Sequence, residues 1–159
     1  MNKVTKNIPI SRRQKDETNR RKTLLEQLYD KGWLDYPASP YDSKARLQAG
    51  LRLIYNYQIM LRGNLHSGYI FNNKIDVSSS LESRLYNDAL NFYRCCLRAI
   101  PSEFWQIVRL ICIEEKMPVI PSSYSERMQS HISYSYRMDL CRGLDRIISS
   151  QLKIDKEKK

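Results

Sequence analysis

Glycine and proline are scarce in this chain, 5 and 6 among 159 residues. That scarcity excludes the loop-rich sheet architectures, which need turn residues at every strand junction. No run approaches the roughly 18 to 20 consecutive apolar residues of a membrane-spanning helix, so no membrane partner is expected. Residues 1–22 hold no apolar segment of the kind found in a secretory leader, and a cytoplasmic location is the expectation. Histidine is nearly absent, with only His66 and His131. None of the four cysteines, Cys95, Cys96, Cys112 and Cys141, forms a Cys-x-x-Cys pair. A zinc site needs four ligands at short paired spacing, so no metal is expected. The cysteines fall in segments of helical apolar period and read as small buried hydrophobes.

Reaction machinery is missing in the same way. There is no glycine-rich phosphate loop and no nucleophile elbow. Adjacent carboxylates occur only as Asp16-Glu17 and Glu114-Glu115, and neighbours on a helix face different directions. The reading is a protein that binds rather than catalyses, with no cofactor.

What is present is apolar content of 42% in helical spacing. Leu24, Leu25, Leu28 and Tyr29 make a first stripe that Gly32 should stop. A second helix is expected over residues 41–62, with Leu47, Leu51, Ile54 and Leu61 on one side and Gly63 as its end. Tyr69-Ile70-Phe71 and Asn72-Asn73 suit a small hairpin or a packed loop. Ser79 and Glu82 match a capping box for a third helix carrying Leu81, Leu85, Ala89, Phe92, Cys96 and Leu97. Pro101 should end it and open a fourth helix with Phe104, Trp105, Ile107, Val108, Leu110 and Ile111. Ser123 and Glu126 match a second capping box before a short helix to His131. A turn at residues 132–134 and a last helix over 135–152 would complete a helix-turn-helix unit. The expectation is an all-α compact bundle of about six helices with a helix-turn-helix-like C-terminal part. It divides into a basic flexible tail (1–22), N-terminal helices and a loop (23–78), a C-terminal helical domain (79–153) and a charged tail (154–159).

The net charge of +10 is uneven. Residues 1–22 carry eight basic groups against Asp16 and Glu17, whereas residues 23–152 hold 15 basic and 13 acidic ones. A basic tail neutralises phosphates and releases counterions without choosing a sequence. Arg12, Arg13, Arg20, Arg21 and Lys22 are its candidate contacts. Between residues 23 and 152 arginine outnumbers lysine by 11 to 4. Its planar fork grips phosphates, guanine edges and carboxylates alike. Arg142 and Arg146 fall on the outer side of the last helix with Ser135, and Asp139 and Asp145 share that helix. Eleven tyrosines suit half-buried rims and interfaces.

Three stretches together resemble a known family: Ala89-Leu90 through Arg98-Ala99-Ile100-Pro101, Phe104-Trp105-Gln106-Ile107-Val108-Arg109-Leu110-Ile111-Cys112, and Arg137-Met138-Asp139-Leu140-Cys141-Arg142-Gly143-Leu144-Asp145-Arg146-Ile147. They resemble the C-terminal domain of alphaproteobacterial activators of gene transfer agents and phage-like late genes, itself similar to the promoter-reading end of sigma factors. Leu140, Leu144, Asp145 and Ile147 stand where that domain has its closing helix. The proline loop over residues 117–123 is additional. The resemblance implies a nucleoid-associated transcription activator that binds promoter DNA, RNA polymerase or both, with another regulatory protein as a further partner. Two other readings stay open: a structural or adaptor protein of a phage-like particle, and a small RNA-binding protein.

Overall fold

The computed structural model describes residues 21–67 and 77–157, apart from the side chains of 64–67 and 77–80. These residues are helical, without a strand among them. Five α-helices follow one another: α1 (Leu24–Asp30), α2 (Ser43–Ser67), α3 (Val77–Ala99), α4 (Ser102–Val108) and α5 (Glu126–Glu157), with a π-helical turn, Arg109–Ile113, extending α4. The hairpin or packed loop expected at residues 69–73 lies outside the described residues, as does most of the basic tail.

Local chemistry explains most of the boundaries. Thr23 caps α1 in a capping box with Glu26, each side chain meeting the other's backbone N–H. Gly32, at φ 74°, ends α1 as expected, and the Trp33 N–H reaches back to the Leu28 carbonyl at 3.0 Å in a Schellman closure. Asp42 caps α2 by accepting from the Ala45 N–H at 2.6 Å. Pro101 separates α3 from α4, and its carbonyl accepts the Phe104 and Trp105 N–H groups.

Several expectations are corrected. Gly63 does not end α2, which continues to Ser67. A Cβ at Gly63 would overlap the Tyr86 ring on α3, so this glycine serves close packing and its modest helix penalty is tolerated. Helix α3 begins at Val77, which places Ser79 inside it rather than at a cap. Ser125, not Ser123, caps α5, accepting from the Met128 N–H at 3.3 Å. The expected turn at residues 132–134 is absent, because α5 runs unbroken for 32 residues. Ile132, Ser133 and Tyr134 include no glycine or proline. They cost a few tenths of a kcal/mol each in propensity, while every added residue closes another hydrogen bond. The helix-turn-helix therefore gives way to one long rod, and the described residues hold five of the expected helices.

A single buried cluster joins residues from both halves of the chain. Leu25, Leu28, Leu34, Ala49 and Leu53 meet Cys96, Ile107, Val108, Ile111, Cys112, Leu140, Leu144 and Ile147. Gly50 sits in its middle, where a Cβ would overlap Leu25 and press on Leu144. The outer parts of α2 and α3 contribute little to it. Leu61, Leu81 and Leu85, expected on core faces, are exposed. These ends pack on each other as an arm, and among the described residues no third layer covers them.

Helices α4 and α5 meet at Gly143, where a Cβ would overlap Val108 Cγ2 and come 3.4 Å from Phe104 Cβ. Val108 is β-branched and fully buried, so it has no free rotamer to retreat into. Gly143→Val is expected to lower stability by about 2 kcal/mol through overpacking, measured as a shift in the urea midpoint at unchanged slope.

Candidate nucleic-acid interface

Helix α5 is anchored only in its middle. Its buried residues are Met138, Leu140, Cys141, Gly143, Leu144 and Ile147. No residue from Glu126 to Arg137 is buried. The first three turns of α5 are thus largely solvent-facing and polar, including Arg127, Gln129, Ser130, His131 and Ser135. Met128 and Tyr134 are exposed among these polar groups and Tyr136 packs on the core at the end of the segment. This part of the helix therefore gains little burial before residue 136 and has the mixed surface of a contacting element.

Ser135, Arg142 and Arg146 lie at spacings of seven and four, which stack them in one row along α5. All three are exposed. Arg142 and Arg146 also line an open cleft of about 470 Å³ with Tyr36, Tyr41, Phe104 and Ser149. Tyr36, as hydrogen-bonding partner, and more weakly Asp139 push the Arg142 pKa further up. Asp139 approaches Arg142 to 3.9 Å, and partial burial raises its carboxyl pKa against the lowering by Arg142.

The second acid on this helix plays a different part. Asp145 Oδ1 accepts from Arg46 Nε at 2.7 Å, and Asp145 Oδ2 accepts from Nη2 at 3.4 Å. Arg46 is 1% exposed. Its remaining donors reach the Leu34 carbonyl at 2.8 Å and the Tyr41 carbonyl at 2.9 Å. The Tyr36 ring stacks 5.7 Å from its guanidinium carbon. Asp145 is therefore committed to a buried cation and does not offset the row outside. Arg146 has no ion pair among the described residues. Sequence reading missed Arg46, although its spacing to Ala49, Gly50 and Leu53 puts it on the buried stripe of α2.

The tail candidates are only partly in view. Arg12, Arg13 and Arg20 lie outside the described residues. Arg21 and Lys22 are exposed, and Lys22 pairs with Asp30 at 2.7 Å, so part of its charge is answered locally. These groups are not brought beside Ser135, Arg142 and Arg146 by any contact among the described residues.

The thiols are placed for packing. Burial pushes Cys96 and Cys112 up to about 12 and Cys141 up to about 11, so none of the three is a nucleophile near neutrality. Among the described residues no group of three or more His, Cys, Asp or Glu side chains is arranged to hold a metal. No described helix is long and apolar enough to cross a membrane.

No protein-family model matches this chain, and neither the curated proteins nor the solved structures contain a significant match to it.

Removing one member of a buried ion pair leaves the other uncompensated. Asp145→Asn is expected to cost about 3 kcal/mol of folding stability, and Arg46→Met with Asp145→Leu should recover most of that loss in the same chemical-denaturation experiment. A second expectation concerns alkali. An unfolded thiol ionises near 9, whereas Cys96, Cys112 and Cys141 hold their protons to about 12, 12 and 11. The unfolded state then binds fewer protons as the pH rises above 9, so stability is full below that value and falls towards pH 12. Cys112→Ala should flatten part of that slope in denaturation series run at each pH.

Proposed function

We propose that this protein is a transcription activator of phage-like or gene transfer agent genes, docking on promoter DNA and serving RNA polymerase. The observation that carries the reading is the outward row Ser135, Arg142 and Arg146 on α5. Of the two acids beside it on this helix, Asp145 is engaged by Arg46 and Asp139 stands 3.9 Å from Arg142, which leaves Arg146 without an ion pair among the described residues. An α-helix is about 10–12 Å across, which matches a major groove about 12 Å wide. The polar first turns of α5 supply side chains of the hydrogen-bonding types that read base edges, and the arginine row supplies phosphate contacts behind them. The basic residues at 1–22 add sequence-independent affinity. This reading starts from the family resemblance of residues 85–150 and takes a single continuous helix, in place of the expected helix-turn-helix, as the docking element.

One further observation favours the adaptor reading in parallel. The arm formed by α2 and α3 exposes Leu61, Leu81 and Leu85 at 47%, 62% and 46%, a surface suited to a protein partner. RNA polymerase or a particle subunit would fill that place.

The test is fluorescence anisotropy of a labelled duplex over a salt series, paired with co-sedimentation of the purified chain and RNA polymerase. Each phosphate contact contributes a slope of about −0.9 in log affinity against log salt. Arg142→Ala with Arg146→Ala should make the slope shallower by about 1.8 and leave the helical content unchanged. A slope indifferent to both substitutions, without polymerase association, overturns the activator reading. Salt-insensitive retention on a capsid, tail or terminase subunit supports the adaptor, and a preference for single-stranded RNA over duplex DNA supports the RNA-binding alternative.

A further inference from the structure

A second concave surface lies between α2, α3 and α4 and shares no residue with the α5 row. It measures about 570 Å³ and is lined by Tyr57, Tyr93, Trp105, Arg109, Glu114 and Lys116. That volume falls within the range of small-ligand sites. The aromatic wall is continuous. Tyr57 and Tyr93 have ring centroids 5.7 Å apart, and Tyr93 meets Trp105 edge-on at 5.8 Å and 71°. Each ring comes from a different helix, so the wall exists only in the folded chain.

The mouth of this cleft is charged. Arg109 Nε donates to Glu114 Oε1 at 2.8 Å, and Lys116 Nζ stands 3.8 Å from Oε2. Two cations thus surround one carboxylate, and their side chains are 60% and 70% exposed. Glu115, exposed beside them, does not line the cleft, so among the lining groups two cations face one carboxylate, which disfavours a cationic guest on the aromatic faces and favours a planar body carrying an anion.

The backbone beneath the mouth is irregular in two ways. The Glu114 N–H reaches the Arg109 carbonyl at 3.1 Å, closing a π-helical turn, and the Lys116 N–H reaches the Leu110 carbonyl at 3.0 Å. Between them Glu115 takes φ 51°, a left-handed conformation that disfavours a residue with a Cβ and is ordinarily glycine's. Together the turn and the strained residue bring Glu114 and Lys116 round to the same opening as Arg109. π-Turns and left-handed non-glycine residues concentrate at ligand sites.

We infer that this cleft binds a nucleotide, its base stacked on the Tyr57–Tyr93–Trp105 wall and its phosphate held by Lys116 and Arg109. Base stacking on aromatic side chains is tolerant of base identity, and the cleft displays no obvious set of groups reading one base edge. The nucleotide comes either free or as an unpaired unit of a single strand; the chemistry is the same.

The full chain carrying Trp33→Phe leaves Trp105 as the sole tryptophan reporter, since there are 2 in the sequence. Its fluorescence is followed on addition of adenosine monophosphate, uridine monophosphate, a short oligothymidine strand, the matching duplex, inorganic phosphate and tetramethylammonium. Quenching by the mononucleotides assigns a free nucleotide, and quenching by the single strand alone assigns an unpaired base. In either case Lys116→Ala, at an exposed side chain, should weaken binding about tenfold. Tyr57→Leu should weaken it roughly five- to a hundredfold. The proposal is overturned by absence of quenching from every nucleotide and strand, by quenching that survives Lys116→Ala, or by a site that prefers tetramethylammonium or answers equally to the duplex.

Discussion

The ion pair between Arg46 and Asp145 is the constraint on which the arrangement of this molecule depends. Arg46 occupies a position of α2 that apolar spacing reserves for the core, and it is almost wholly removed from water. An unpaired guanidinium there would cost several kcal/mol. The cost is offset because every side of the fork is answered, by a carboxylate on α5 and by two carbonyls of the segment between α1 and α2. Such a pair contributes little net stability compared with well-packed hydrophobes. What it ties together is register: α2, α5 and the segment around Leu34 and Tyr41 each supply part of what the cation needs, so sliding any one of them would leave a buried donor unanswered.

That register has consequences at the surface. It pairs Asp145, which lines the same cleft as Arg142 and Arg146, with the buried Arg46 and leaves the two arginines exposed. It also holds Tyr36 and Tyr41 beside them, where Tyr41 shares a hydrogen bond of 3.0 Å with Ser149 on α5. A buried charge thereby sets the sign of an exposed face. Counting Arg142 and Arg146 against Asp139 and Asp145 makes the outer side of α5 close to neutral; assigning Asp145 to Arg46 leaves Asp139 beside Arg142 and the charge of Arg146 in surplus.

The legibility of the fold follows from how local each signal is. Gly32, Asp42 and Pro101 act within a few residues of themselves, and the sequence reading of the corresponding helix ends agrees with the structure to within one or two residues. The apolar spacings of α1 and of residues 140–147 are also local and identify the buried faces correctly. The failures are nonlocal. Nothing near Leu81 or Leu85 says that α3 outruns the layer that would cover it. Ser123 and Ser125 are equally good caps, and the choice depends on where the loop after Ile113 finishes. The continuity of α5 is the exception, a local signal: residues 132–134 hold no glycine or proline, so the expected turn has no helix breaker behind it. Of the interface, the row Ser135, Arg142 and Arg146 was readable from spacing on one helix. Arg46 was not read as its partner in design, since it lies 99 positions from Asp145.

A continuous helix changes what positioning must mean for a docking surface. In a helix-turn-helix unit the first helix crosses the backbone and sets the angle of the second. Here the same chain that would enter a groove runs straight back into the core, so the body itself sets the angle. At 1.5 Å per residue, the unburied first turns of α5 extend roughly 18 Å, which on the proposed reading is long enough to span the width of a groove before the body would meet the phosphates. Arg142 then stands at the level where the body begins and Arg146 one turn further in, beside the loop that Arg46 holds in place. Rigidity along α5 and fixed placement of the arginine row thus have a common origin in the core, in which Gly143 allows α4 to approach and Asp145 locks α2.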